Sequence, residues 1–145
     1  MREAIEEKQI TEGLLSPISK QEARMKNPLV LAYIGDTVYD LFVRTSRVKA
    51  SGEHVNLLNR WVCGVVNARA QAEAADKLLP MLLEDEADIY RRGRNAKSAT
   101  TPKNMDIGDY HKATGLEAVV GYLFLVGEYG RLHEIFEAIL PESEA

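Results

Sequence analysis

The sequence predicts an all-α fold. Its apolar residues recur at helical rather than alternating spacing, no stretch reads as a strand, and caps or Gly/Pro breaks bracket each apolar run. At 145 residues, 46% apolar and 28% charged, the chain has the size and composition of one globular domain with a real core. The expected layout is a mobile or loosely docked N-terminal arm over residues 1–20, anchored by Leu14, Leu15 and Ile18, and a single domain over 21–145.

The central stretch is Asn27 to Arg44, NPLVLAYIGDTVYDLFVR. Asn27 can cap a helix and Pro28 fits its first turn without losing a needed donor. From Leu29 to Val43 only Asp36, Thr37 and Asp40 are markedly polar, so this helix is expected to be buried on most sides, by the core or by a partner chain. Lys49 to Gly52 reads as a loop. Val55 to Leu79 reads as one long helix, with Gly64 as a kink or a close crossing, ended by Pro80. Glu84 to Arg92 reads as a shorter helix with acids early and arginines late, as the macrodipole favours. Arg91 to Met105 then reads as a loop rich in Gly, Asn, Ser, Thr and Pro. Asp106 or Asp109 caps a helix running to about Val126, Gly127 to Gly130 turns the chain, and Arg131 to Leu140 forms the last helix.

The single cysteine, Cys63, excludes an intrachain disulfide and reads as a core residue in a reducing compartment. With no signal-peptide core and no apolar run of transmembrane length, a cytoplasmic location is expected. The net charge of −4 argues against indiscriminate coating of nucleic acid, but charge is segregated. RRGRNAKSATTPKNM carries Arg91, Arg92, Arg94, Lys97 and Lys103 and no acid, directly after the acidic run Glu84, Asp85, Glu86 and Asp88. Such a loop is either a solvated surface or a phosphate grip, with arginines forking onto phosphate oxygens and Asn95 and Ser98 adding neutral hydrogen bonds. GRNAKS lacks the second glycine and the preceding strand of a phosphate loop.

Glu117 is the only ionisable residue besides Tyr122 between Ala113 and Gly127, and Gly115 and Gly121 flank it as Gly35 flanks Asp36. Two apolar helices, each with one acid beside a small residue, point to closely crossing backbones with converging carboxylates. Converging carboxylates need a cation between them, and hard oxygen ligands with room for water suit Mg²⁺. Each acid alternatively pairs with a buried Arg or Lys, or lies at a wet rim. Asp40, one turn after Asp36, extends the site, supports it or faces solvent. His54, His111 and His133 are scattered and form no HExxH pair. An acidic metal site beside a basic loop suits phosphodiester hydrolysis.

These motifs carry a family resemblance. AYIGDTVYDL, from Ala32 to Leu41, resembles the ribonuclease III signature, and LEAVVGYLFL, from Leu116 to Leu125, resembles that family's second acidic helix. RRGRNAKS followed by TPKN resembles the short bacterial branch called Mini-ribonuclease III, a catalytic domain without a separate double-stranded-RNA-binding domain. The resemblance covers roughly Asn27 to Leu140. It implies the ribonuclease III endonuclease fold and a helical homodimer that cleaves double-stranded RNA with Mg²⁺ (Mn²⁺ substituting), leaving a 5′-phosphate and a 3′-hydroxyl. It implies that Asp36 and Glu117 bind the metal and are catalytic, and that Tyr33 packs across the dimer. It further implies maturation of 23S ribosomal RNA precursor, helped by a large-subunit ribosomal protein. Arg91, Arg92, Arg94, Asn95, Lys97, Ser98 and Lys103 are then the expected RNA contacts.

Two departures from the long enzymes stand out: Ala32 replaces a Glu before the aromatic, and Thr114 replaces an Asp three residues before Glu117. Both losses are common in the Mini branch. The rival expectations are a catalytically inactive RNA-binding or ribosome-associated protein on the same fold, and a purely protein-interacting helical domain.

Overall fold

The structure is a computed structural model that describes residues 13–97 and 105–141. Within them the chain forms seven α-helices and one 3₁₀ turn, and no strand. These are α1 (Lys20–Arg24), α2 (Pro28–Ala50), α3 (Val55–Val66), α4 (Ala68–Leu78), the 3₁₀ turn Leu79–Met81, α5 (Glu84–Asn95), α6 (Ile107–Leu125) and α7 (Tyr129–Ile139). The all-α expectation holds. No described helix is long and apolar enough to cross a membrane.

The predicted caps are in place. The Asn27 side chain accepts from the Leu29 N–H at 2.8 Å, and Asp106 accepts from the Asp109 N–H at 3.0 Å. Gly127 takes a positive φ of 77° at the turn into α7, a conformation that favours glycine. Ahead of α1, the Ile18 N–H donates to the Leu125 carbonyl at 3.0 Å and the Tyr129 hydroxyl to that of Leu15 at 3.4 Å, while Leu14 stays exposed.

Two helices and two single residues differ from expectation. Val55 to Leu79 is two helices that break at Asn67. Asn67 serves both: its amide donates to the carbonyls of Cys63 and Gly64, and its side-chain oxygen accepts from the Ala70 N–H at 2.9 Å. Gly64 is no crossing point, since a Cβ there would meet nothing within 4 Å, and Cys63 is exposed rather than in the core. Lastly, α5 continues past Arg92 to Asn95. Gly93 does not break it because it is buried at a helix crossing, where a Cβ would lie 2.9 Å from the Ala118 Cβ and 3.1 Å from the Gly115 Cα.

The hub of the fold is α6, in contact with α2, α4, α5 and α7 and buried almost continuously from Ala113 to Leu123. Helix α2 is less enclosed than its composition implied. Leu31, Gly35, Val38, Tyr39 and Val43 face the core, whereas Val30, Tyr33, Leu41 and Val48 are 52%, 82%, 61% and 60% exposed.

The acidic start of α5 is consumed by the fold. Glu86, fully buried, accepts from Arg131 at 2.8 and 2.9 Å and from the Leu83 N–H at 3.0 Å. Asp85 accepts from the Tyr122 hydroxyl at 2.7 Å, and Asp88 pairs with Arg91 at 2.6 Å and with Arg24 at 3.6 Å.

The α2–α6 crossing is made backbone to backbone. A Cβ on Gly35 would lie 1.7 Å from the Glu117 carbonyl oxygen, and one on Gly121 would lie 1.9 Å from that of Leu31. Neither neighbour can move aside without shifting a helix. Gly35→Ala or Gly121→Ala is therefore expected to destabilise by about 3 kcal/mol, the upper range for overpacking. Gly64→Ala, in open space on a helix, should instead stabilise by about 0.5–1 kcal/mol. Urea unfolding of the three variants checks this, and equal effects at Gly64 and Gly121 would contradict the crossing.

Candidate active site

Asp36 and Glu117 sit beside that crossing, one on each helix. Gly35 precedes Asp36 and presses its bare Cα against the main chain of Glu117 itself, so the close approach of the helices fixes where the two acids emerge. Asp36 is exposed at the rim, and Glu117 is half-buried beneath it. Burial, the charge of Asp36 and a hydrogen bond between the two side chains push the Glu117 carboxyl from 4.5 up to about 9. At neutral pH the protonated form of Glu117 is thus favoured, with its side chain hydrogen-bonded to that of Asp36. The sequence expectation of converging carboxylates matches this geometry, and no ion pair with an Arg or Lys neutralises either acid among the described residues.

Tyr39 belongs to the same neighbourhood, although the sequence did not single it out. Its phenol is buried and held well above the usual tyrosine range, first by desolvation and then by the charge of Glu117. Only the tertiary packing places it there. Asp40 pairs with Arg44 at 2.9 Å.

The donor set is suited to a hard divalent cation: two carboxylates whose mutual repulsion a cation would relieve, open to water on the Asp36 side. Among the described residues no group of three or more His, Cys, Asp or Glu converges, so of these residues the pair alone would face the cation. Thr114, at the position of the missing acid, donates its hydroxyl to the Tyr110 carbonyl at 2.9 Å, and Ala32 is buried.

The basic residues do not behave as one set. Arg91, Arg94 and Lys97 are exposed; Arg91 is paired with Asp88, and Arg94 donates to the side-chain oxygen of Asn95 at 3.4 Å. Arg92 turns inward onto main-chain carbonyls of residues 24 and 26. Arg91 to Asn95 lie on helix α5 and not in a loop, because the Gly93 crossing carries the helix through them. Ser98 and Lys103 fall outside the described residues. Tyr33 projects from the open face of α2, on the side shared with Val30, Leu41 and Val48. A cavity of about 730 Å³ between α2 and α7 is lined by Leu41, Phe42, His133, Phe136 and Leu140, among others, and neither Asp36 nor Glu117 borders it.

An all-α domain built on two apolar helices, each carrying one acid to a glycine crossing, defines the class, and residues 29–128 match the family described as Ribonuclease III domain. A solved structure from Fusobacterium nucleatum is similar at a TM-score of 0.72 and 30% identity, over 79% of this chain and 91% of that one. Relatives named Mini-ribonuclease 3 are 47% identical in Thermoanaerobacter sp. (83% of this chain, 84% of the relative) and 43% identical in Clostridium tetani (84% and 82%). A third, from Staphylococcus aureus, is 39% identical over 81% of this chain and 89% of its own length. The chain belongs to the Mini-ribonuclease 3 branch of the ribonuclease III family. It is accordingly an endoribonuclease, and double-stranded RNA is the substrate of that family.

The raised Glu117 pKa has a consequence for stability. Between 4.5 and about 9 the folded protein holds a proton that the unfolded chain releases, so stability from this group is full below 4.5 and falls as pH rises towards 9. In chelator, wild-type stability is expected to decline across this window more steeply than that of Glu117→Gln, which cannot titrate. Parallel thermal-melt profiles for the two proteins would show that Glu117 is not protonated in the fold.

Proposed function

We propose that this chain is a homodimeric, Mg²⁺-dependent nuclease in which Asp36 and Glu117 hold the metal and position the attacking water. The products are a 5′-phosphate and a 3′-hydroxyl, and Mn²⁺ can replace Mg²⁺. The carrying observation is the Asp36–Glu117 pair, joined by a side-chain hydrogen bond at the crossing and, among the described residues, in no ion pair with a cationic side chain. A divalent cation bound there would polarise the phosphodiester and lower the pKa of the attacking water. The chain's own part is to hold the two carboxylates on rigid helices, where in their charged form they would ligate the cation.

The substrate backbone is gripped by Arg91, Arg94 and Lys97, with Asn95, Ser98 and Lys103 adding contacts. Duplex RNA is recognised by shape, 2′-hydroxyls and phosphates, which suits such a grip. The open face of α2, led by Tyr33 and continued by Val30, Leu41 and Val48, forms an isologous dimer interface that would align two sites on one duplex. Within the cytoplasm the natural substrate is a 23S ribosomal RNA precursor, presented with the help of a large-subunit ribosomal protein.

The decisive experiment is cleavage of a long RNA duplex with Mg²⁺ by the wild type, Asp36→Asn and Glu117→Gln, each checked as a folded dimer by sedimentation. The wild type should cut, and both variants should lose at least about a hundred-fold in rate, as expected when a group stabilising the transition state is removed. A wild type that binds duplex without cutting, even with Mn²⁺ and structured precursor RNA, would convert the reading to an RNA-binding protein. A monomer would remove the Tyr33 interface.

Replacing Arg91, Arg94 and Lys97 together with Ala should weaken duplex binding and reduce the slope of log affinity against log salt by about 0.9 for each phosphate no longer neutralised. An unchanged slope in filter binding across a salt series removes these residues from the grip.

A further inference from the structure

Arg92 stands apart from the cations beside it. Its Nη1 donates to the Arg24 carbonyl at 2.8 Å and its Nη2 to the Lys26 carbonyl at 3.2 Å. The first carbonyl ends α1, and the second belongs to the link into Asn27, the cap of α2. A planar fork spanning two carbonyls fixes direction as well as distance. One residue on, Gly93 lies tight against Ala118 and Gly115 of α6, while α2 lies tight against the same helix through Gly35 and Gly121. Helix α2 and the end of α5 are thus each packed on α6, and Arg92 ties the end of α5 to the end of α1 and to the link that leads into α2. This closes a triangle whose sides are α2, α6 and the last turn of α5. From α5 the chain runs on through Lys97 into the basic segment; along α2 it runs to Asp36.

We propose that Arg92 is a positioning residue that sets the distance between the cations holding the RNA backbone and the carboxylates that cut it. It thereby selects which phosphodiester is presented to Asp36 and Glu117. The inference rests on the nuclease reading above and removes Arg92 from the phosphate contacts of that reading. Its two terminal nitrogens are already engaged by the protein's own carbonyls, whereas Arg91, Arg94 and Lys97 are exposed.

The test maps the 5′ ends of products from one end-labelled duplex of defined sequence cut by the wild type, Arg92→Lys and Arg92→Ala, and measures duplex binding by each across a salt series. The wild type should cut at a dominant position. Arg92→Ala should scatter cleavage over neighbouring phosphodiesters and lower kcat by about ten-fold, a modest case of the penalty for misplacing reacting groups. Its affinity should stay within about two-fold and its salt slope should not change, because the same phosphates remain neutralised. Arg92→Lys, able to reach one carbonyl at a time, should fall between.

A salt slope reduced by about 0.9 makes Arg92 a phosphate ligand and overturns the proposal. So does a pattern of ends as sharp as the wild type's, even if thermal stability falls, because Arg92 is then a brace without influence on cleavage register. If Arg92→Ala does not fold, Arg92→Lys is judged by the same two readouts. A wild type that cuts no duplex fails the nuclease reading and this inference with it. A wild type that cuts sharply beside an equally sharp variant fails this inference alone.

Discussion

The structure depends on one contact, the backbone-to-backbone crossing of α2 and α6 at Gly35 and Gly121. Everything chemical about the protein follows from how close that contact is. Burial at this crossing disfavours a charged Glu117 first, and the nearby charge of Asp36 adds to the penalty. Glu117 resolves the conflict by keeping a proton. The same closeness explains the small and apolar residues of both helices around the crossing. Bare backbones in contact leave room only for small or apolar side chains around them, and the lone acids appear where the crossing opens to solvent.

The second constraint is electrostatic and concerns α5. Its acidic start is spent inside the domain, with Glu86 on Arg131, Asp85 on Tyr122 and Asp88 on Arg91 and Arg24. A buried carboxylate satisfied by a guanidinium and a backbone N–H, as Glu86 is, contributes rigidity at least as much as net stability. That rigidity matters because the far end of the same helix presents Arg94 and leads into Lys97. The net charge of −4 therefore says little about the protein's surface where it counts: many of the acids are turned inward or paired, and the exposed cations Arg91, Arg94 and Lys97 are gathered at one helix end.

What the sequence made legible was local. Asp36 and Glu117 stood out as acids in apolar runs with glycines nearby, a pattern that an ion pair or a wet rim would equally have explained, and the Asn27 and Asp106 caps followed from their position before such runs. What it hid was tertiary. The break at Asn67 went unread because Asn67 bonds to two helices at once, a fact visible only when both exist. Gly93 read as a loop residue because its reason for being glycine lies on another helix, at Gly115. Tyr39 gave no signal, since nothing in its neighbours announces that it will face Glu117. Arg92 looked like its neighbours for the same reason: a cation's partner can lie 66 or 68 residues away.

The two departures from the long enzymes acquire a physical meaning in this setting. Ala32 is buried against the core, and the Thr114 hydroxyl closes onto its own helix at Tyr110, so neither position offers an oxygen to the site. A four-carboxylate site would have to hold more negative charge at a crossing that already forces one of two acids to stay protonated. If Asp36 and Glu117 hold the metal as proposed, one dication would balance the pair, and water and substrate oxygens would complete its shell. Catalytic geometry would then lean on how the RNA backbone is seated, more than in a site that builds its own full shell of ligands. On that reading the fold must place the cations of the proposed grip accurately relative to Asp36 and Glu117. The fold does so by packing the helix that leads to the grip and the helix that bears Asp36 on the same central α6.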